Sequence, residues 1–255
     1  EANWRGLLFG DMAQPRGGPM LDGHASHQIG LDADIYLTEM PNRRLSSHER
    51  DTMPLPSVIN KQTRRIDLSR WRPEMMKLIR TAAREPEVER IFVHPGIKEQ
   101  LCTTAGRDRA WLNKVRPMYG HDYHFHVRIG CQPGSTNCEA QESTGSGDGC
   151  DKLGWWFNVA LQPPPPNAKP YKKPPPIFMS ALPRACAAVL KQPDAAGTVV
   201  AASPEPAAPA VSQAIAPPPR SAPRPAAATA YAPEPQAAAP TSTGSLPMPR
   251  FRPAN

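Results

Sequence analysis

The sequence predicts an α+β domain, a mainly antiparallel sheet with flanking helices, followed by a disordered Pro/Ala-rich tail. Three observations carry this. Two stretches, "LDADIYL" (31–37) and "YHFHVRIG" (123–130), alternate apolar and polar residues with the period of a half-buried strand. Between them lies "RPEMMKLIRTAARE" (72–85), whose Met75, Met76, Leu78, Ile79 and Ala82 recur at helical spacing behind Pro73. Of 34 prolines, 24 lie at or beyond Pro163, whereas all seven histidines and all five tryptophans precede residue 162. We therefore expect a domain over 1–161, a Pro-rich segment over 162–193 and a disordered tail over 194–255, the tail being too poor in apolar side chains to offset the entropy of ordering it.

Taken in order, "WRGLLFGDMA" (4–13) reads as a buried strand ending at Gly10-Asp11, and "PRGGPMLDGH" as a Gly/Pro loop. In 31–37, Leu31, Ala33, Ile35 and Leu37 face one way, and Asp32, Asp34 and Tyr36 the other, which makes a strand with an acidic face. Residues 40–70 are polar and irregular, a long loop. After the 72–85 helix, "VERIFVHP" (88–95) is a strand stopped by Pro95, and "IKEQLCTTAG" a short helix closed by Gly106. "DRAWLNKVRPMYG" is expected to be another helix, ending near Pro117. In 123–130, Phe125, Val127 and Ile129 point inward, while His124, His126 and Arg128 share the opposite face. "SGDGCDKLGWWF" closes the domain, and "SALPRACAAVL" (180–190) is a helical turn expected to dock back through Cys186.

The net charge of +7 suits a polyanionic partner, but no run of Lys/Arg exceeds two residues and no helix carries a basic stripe, which argues against nucleic acid. No apolar run approaches the ~20 residues of a membrane span. The cysteines at 102, 131, 138, 150 and 186 form no C-x-x-C pair. "CQPGSTNC" (131–138) brackets a Pro-Gly turn and reads as a short disulfide loop, which places the chain in an oxidising compartment, the periplasm or outside the cell.

Five of the seven histidines fall in two clusters, "GHASH" at 23–27 and "HDYHFH" at 121–126. A hydrolytic zinc takes three protein ligands from His, Asp and Glu and leaves one position open. His27, Asp34 and His126 fit that count: Gly30 permits a bend between loop and strand, Asp34 projects from the polar face, and His126 comes from a second strand. This is the zinc cleft of the expected fold. His124 lies two residues before His126 on the same face, roughly 6.6–6.8 Å away along the strand, so one of the pair can bind metal and the other take a proton. No H-E-x-x-H helix is present, so the general base comes from elsewhere. Of the remaining candidates, His48 reads as a solvated loop residue, His94 as structural, Arg128 as an exposed strand arginine, and Trp155 and Trp156 as hydrophobic closure of the domain.

"SHQIGLDADI" and "HFHVR" resemble the penicillin-insensitive murein endopeptidases, of the zinc peptidase group that includes lysostaphin, D-Ala-D-Ala dipeptidases and the hedgehog N-terminal domain. The group's pattern of serine, histidine, glycine and aspartate followed by H-x-H falls here on Ser26, His27, Gly30, Asp34, His124 and His126. "GDM", "GHASHQ", "IFVHPGIKEQLC", "DRAWLNKVRP" and "SGDGC" extend the likeness from about Gly6 to Phe157. The resemblance implies Zn2+ at His27, Asp34 and His126, with His24 an additional ligand or close partner, His124 as base and His121 nearby in the cleft. It implies a periplasmic enzyme that cuts the D-alanyl–diaminopimelate cross-link of peptidoglycan, and a disulfide between Cys102 and Cys150. Cys186 is then left over, its partner expected in an N-terminal piece that relatives carry upstream of the position of Glu1. A second metal site of some relatives would fall on Gln62 and Arg65 and is not carried over. Two other activities fit the same residues: a zinc carboxypeptidase trimming stem peptides, and a non-catalytic peptidoglycan-binding protein with a closed structural zinc. The partner in every case is peptidoglycan, and a homo-oligomer stays open.

Overall fold

The computed structural model describes residues 3–20, 26–167 and 177–193. His24 and the whole of 194–255 lie outside the described residues. The elements run β1 (Asp32–Tyr36), α1 (Ser47–Thr52), α2 (Pro73–Arg84), β2 (Val88–Val93), α3 (Pro95–Thr104), a 3-10 turn (Ala110–Lys114), β3 (Val115–Pro117), β4 (His124–Ile129), a short helical closure from Cys150 to Ala160 that includes α4 (Leu153–Trp155), and α5 (Arg184–Lys191).

The strands form one sheet in the order β1-β4-β2-β3. It is mixed: β4 lies antiparallel to both β1 and β2, and β2 runs parallel to β3. The parallel pair is where expectation and structure part. Residues 108–120 form only a 3-10 turn before Val115–Pro117 enters the sheet, with Ile91, Phe92 and Val93 opposite Val115, Arg116 and Pro117. Helix α3 supplies the crossover that a parallel pair needs.

The alternation does what it promised. Ile35, Phe125, Val127, Ile91 and Val93 turn to one face and join Leu78, Ile79, Ile97, Leu101, Trp111 and Leu112 in the core. Helix α2 buries Met75, Leu78, Ile79 and Ala83, with Ala82 only partly covered. Pro95 is the first residue of α3 as well as the end of β2, and His94 caps that helix by accepting the Gly96 N–H at Nδ1 (3.0 Å).

Residues 4–13 pair with β1 only in part. Gly10 donates to the Asp34 carbonyl and Asp34 to that of Asp11, yet among the described residues Phe9–Ile35 is the sole bridge the segment makes, and Leu7, Phe9 and Met12 are exposed. A side chain at Gly10 would meet the Tyr36 ring at 2.7–2.9 Å and one at Gly6 the Met40 sulfur at 2.7 Å. These close passes, not strand alternation, govern its course. The loop expected over 40–70 contains α1, with a capping box between Ser46 and Glu49, and a bridge between Ile59 and Ile66. Helix α5 is joined by Arg16, whose guanidinium donates to the carbonyls of Leu190 (2.6 Å) and Val189 (3.4 Å), and Cys186 is a free thiol. The two disulfides are Cys102–Cys150 and Cys131–Cys138.

Candidate metal centre

Register brings the site together. Across β1 and β4, Asp34 stands opposite His126 and Asp32 opposite Arg128; across β4 and β2, His126 faces Phe92 and Arg128 faces Arg90. His27 arrives from the loop before β1. Its backbone is left-handed (φ 62°), as is that of His121 (φ 54°), an uncommon state for a non-glycine residue that costs of order 1–3 kcal/mol and gathers at functional sites. The neighbouring loop holds it there: Gly18 donates to the Gln28 carbonyl (2.7 Å), and a Cβ at Gly17 (φ 70°) would lie 2.7 Å from that same oxygen.

His27, Asp34 and His126 each present one ligand atom, all within 4.8 Å of one another, and all three residues are buried. His27 Nε2 lies 3.3 Å and His126 Nδ1 3.0 Å from the same oxygen, Asp34 Oδ1. The distances are those of hydrogen bonds, but the alignment is not, and that buried oxygen has no well-directed hydrogen bond. Two ring nitrogens and a carboxylate oxygen converge on one buried point, which is the arrangement a cation with N and O preference requires, so this donor set fits zinc.

The other expected residues flank that point. His124 Nε2 is 3.7 Å from Asp34 Oδ2. The His121 ring lies 4.9 Å from that of His124 and 5.9 Å from that of His126, and its Nδ1–H donates to the Tyr119 carbonyl (2.7 Å), which leaves Nε2 as the acceptor of the neutral ring. His48 is exposed on α1. Trp155 is 44% exposed, whereas Trp156 is buried against Tyr119. Arg65 pairs with Glu99 and lies over the Phe157 ring at 4.3 Å. Two surface hollows lie near the 57–70 loop, one lined by Ser57, Ile59 and Asp67 and the other by Gln62, Arg65 and Phe157; neither is lined by the histidines.

Charge is balanced within the cluster. Burial alone would raise the Asp34 carboxyl, but His126 and His27 at its oxygens and the charge of His124 outweigh it and hold the group well below the usual carboxylate range. Asp32 is likewise lowered against its burial, by His126 and Arg128. Between these two carboxylates, and in spite of burial, His126 is pushed up to about 9. Burial pushes His121 down to about 3, helped by the charge of His124, and His94 down to about 4, so both stay neutral imidazoles at neutral pH.

Arg128 is not the exposed arginine expected. Its side chain is only 12% exposed and its Nη1 donates to Asp32 Oδ2 (2.8 Å). Asp32, which accepts from both Arg128 and His126, is signalled in the sequence only by its place on the acidic face two residues from Asp34.

A family model described as penicillin-insensitive murein endopeptidase matches residues 1–191, a stretch that runs through α5. The penicillin-insensitive murein endopeptidase of Yersinia pestis is 46% identical to this chain over 186 residues, 72% of this chain and 64% of its own length. That of Escherichia coli (strain K12) is 43% identical over 187 residues, 73% of this chain and 65% of its own. The chain thus spans a little under two thirds of the length of the relatives it matches.

Proposed function

The chain belongs to the penicillin-insensitive murein endopeptidase family, and from that membership we propose that it is a zinc endopeptidase hydrolysing the D-alanyl–diaminopimelate cross-links of peptidoglycan in the periplasm. The observation that carries the metal part is the convergence of His27 Nε2, Asp34 Oδ1 and His126 Nδ1 around one buried point. These three residues would hold the zinc. Bound there, zinc would act as a Lewis acid towards the scissile carbonyl and lower the pKa of a hydrolytic water.

The chain's own side chains supply the rest. His124 reaches within 3.7 Å of Asp34 and stands at the edge of the ligand set, placed to take the proton from the attacking water and hold it at Nε2. His121, neutral and fixed by Tyr119, offers a lone pair on Nε2 beside His124. It can orient the water or accept from a protonated His124, and one of these two imidazoles protonates the departing amine. Phe92, packed at 5.6 Å against the His126 ring, keeps bulk water off the far side of that ligand. Two disulfides suit the oxidising periplasm.

The test is digestion of purified murein with identification of the products. Muropeptide monomers released from cross-linked dimers, a reaction abolished by a zinc chelator and untouched by penicillin, are the expected result. Release of free D-alanine alone would instead make the protein a carboxypeptidase, and tight metal binding with no product a structural site.

A further inference from the structure

His126 is held from both sides, and only one side faces the other two ligands. Nδ1 points to Asp34 Oδ1 (3.0 Å), while Nε2 lies 2.9 Å from Asp32 Oδ1. The second oxygen of Asp32 accepts from Arg128 Nη1 (2.8 Å). All three groups are screened from solvent: side-chain exposure is 4% for His126, 2% for Asp32 and 12% for Arg128. The register explains the arrangement, since Asp32 and Asp34 are two apart on one face of β1 and pair with Arg128 and His126, also two apart on β4.

We propose that Asp32, braced by Arg128, is the positioning residue of the metal centre: it holds the His126 ring in the orientation and tautomer that direct Nδ1 at the zinc. A carboxylate only accepts, so the proton between Asp32 and His126 sits on Nε2. The lone pair of the neutral ring is then on Nδ1, on the side where His27 Nε2 and Asp34 Oδ1 already converge. Without Asp32 the ring can exchange tautomers and turn about its bonds to the backbone, and part of the population presents an N–H to the metal. The negative charge of the Asp32 carboxylate beside Nε2–H also makes Nδ1 a stronger donor. Arg128 completes the line by fixing the carboxylate plane, so that its Oδ1 remains aimed at His126. Partners of this kind behind a metal-binding imidazole typically contribute 10–100-fold in metal affinity.

The proposal rests on the zinc reading above, and the test separates the two. Zinc affinity would be measured by chelator competition for the wild type, Asp32→Ala, Asp32→Asn, His126→Ala and the Asp32→Ala/His126→Ala double variant, with near-UV circular dichroism checking that each is folded. The ring tautomer of His126 would be read by long-range 1H–15N correlation on the zinc-loaded protein. Asp32→Ala should bind zinc 10–100-fold more weakly and lose the hydrogen-bonded Nε2–H signal. Asp32→Asn, which keeps an acceptor but sets an amide against Arg128, should fall in between. If Asp32 acts through His126, its removal should cost little further in the His126→Ala background. Wild-type affinity within twofold in folded Asp32→Ala, or the same fold loss with and without His126, would overturn the positioning role while leaving the ligand set standing. Undiminished zinc binding in His126→Ala would overturn the ligand set itself.

Discussion

Reducing the two disulfides one at a time should destabilise the domain by unequal amounts. Cys102–Cys150 closes a loop of 48 residues that contains β3, β4 and all three histidines of the second cluster; Cys131–Cys138 closes one of 7, in an exposed turn beyond β4. In the chain-entropy treatment, the long loop is worth about 4 kcal/mol at 25 °C and the short one about 2 kcal/mol. For a domain of this size each kcal/mol moves the melting temperature by about 2–4 °C. Cys102→Ser/Cys150→Ser should therefore melt about 8–16 °C below the wild type, and Cys131→Ser/Cys138→Ser about 4–8 °C below. The serines keep a polar atom near Arg109, whose guanidinium donates to the Cys102 carbonyl (2.7 Å) and lies 3.2 Å from the Cys150 sulfur. Scanning calorimetry with zinc at a fixed excess is the assay, because bound metal would otherwise shift the midpoints. If removal of the short bridge costs as much as removal of the long one, loop entropy is not what these bonds contribute, and the reasoning fails.

Two further outcomes follow from the same structure and a third from the sequence. His126→Ala should lose zinc and activity together, whereas His124→Ala should keep zinc by elemental analysis and lose roughly 10²-fold or more in rate; loss of metal from His124→Ala would reverse the two roles. Lys98 is fully buried, its Nζ donating to the carbonyls of Leu112 (2.8 Å) and Asp148 (2.6 Å), and burial, with the nearby charge of Arg116, pushes it down from 10.5 to about 7. Between those values the unfolded chain binds the proton and the folded one does not, so this group makes stability rise with pH from about 7 towards 10, by at most about 1.4 kcal/mol per unit. Denaturant midpoints at pH 7.5 and 9.5 should show a smaller rise in Lys98→Met than in the wild type, and equal rises would refute the assignment. Removing the residues after Pro193 should leave zinc content and the rate on soluble muropeptides unchanged within about twofold, and a large drop there would mean that the Pro/Ala-rich segment forms part of the catalytic unit.

The candidate site was legible because the residues proposed as ligands obey a local rule. A period of two in 31–37 and 123–130 put Asp34 on one polar face and His126 on another, and antiparallel pairing had only to set them opposite each other. Features that depend on distant partners were not legible. Val115–Pro117 looks helical beside Trp111 and Leu112, and becomes a strand only because β2 offers a parallel edge. The 4–13 segment has the composition of a strand, but its course depends on where Tyr36 and Met40 sit. Arg128 looks exposed until Asp32 is seen to neutralise it. The remaining question is why this face is so polar at all. His27, Asp32, Asp34, His124 and His126 are each at least 93% buried. Taking charged groups out of water costs several kcal/mol apiece, and well-packed apolar residues of similar volume are often as stabilising or more so. The opposite face of the same sheet, built from Ile35, Phe125, Val127 and Ile91, shows that the fold has the apolar alternative at hand. A sheet that packs its core with one face and buries charged and polar groups on the other is what the proposed metal chemistry on the second face would require. The hydrogen-bonded pair of Asp32 and Arg128, which touches no expected ligand except His126, is where that arrangement reaches past the ligands into their support.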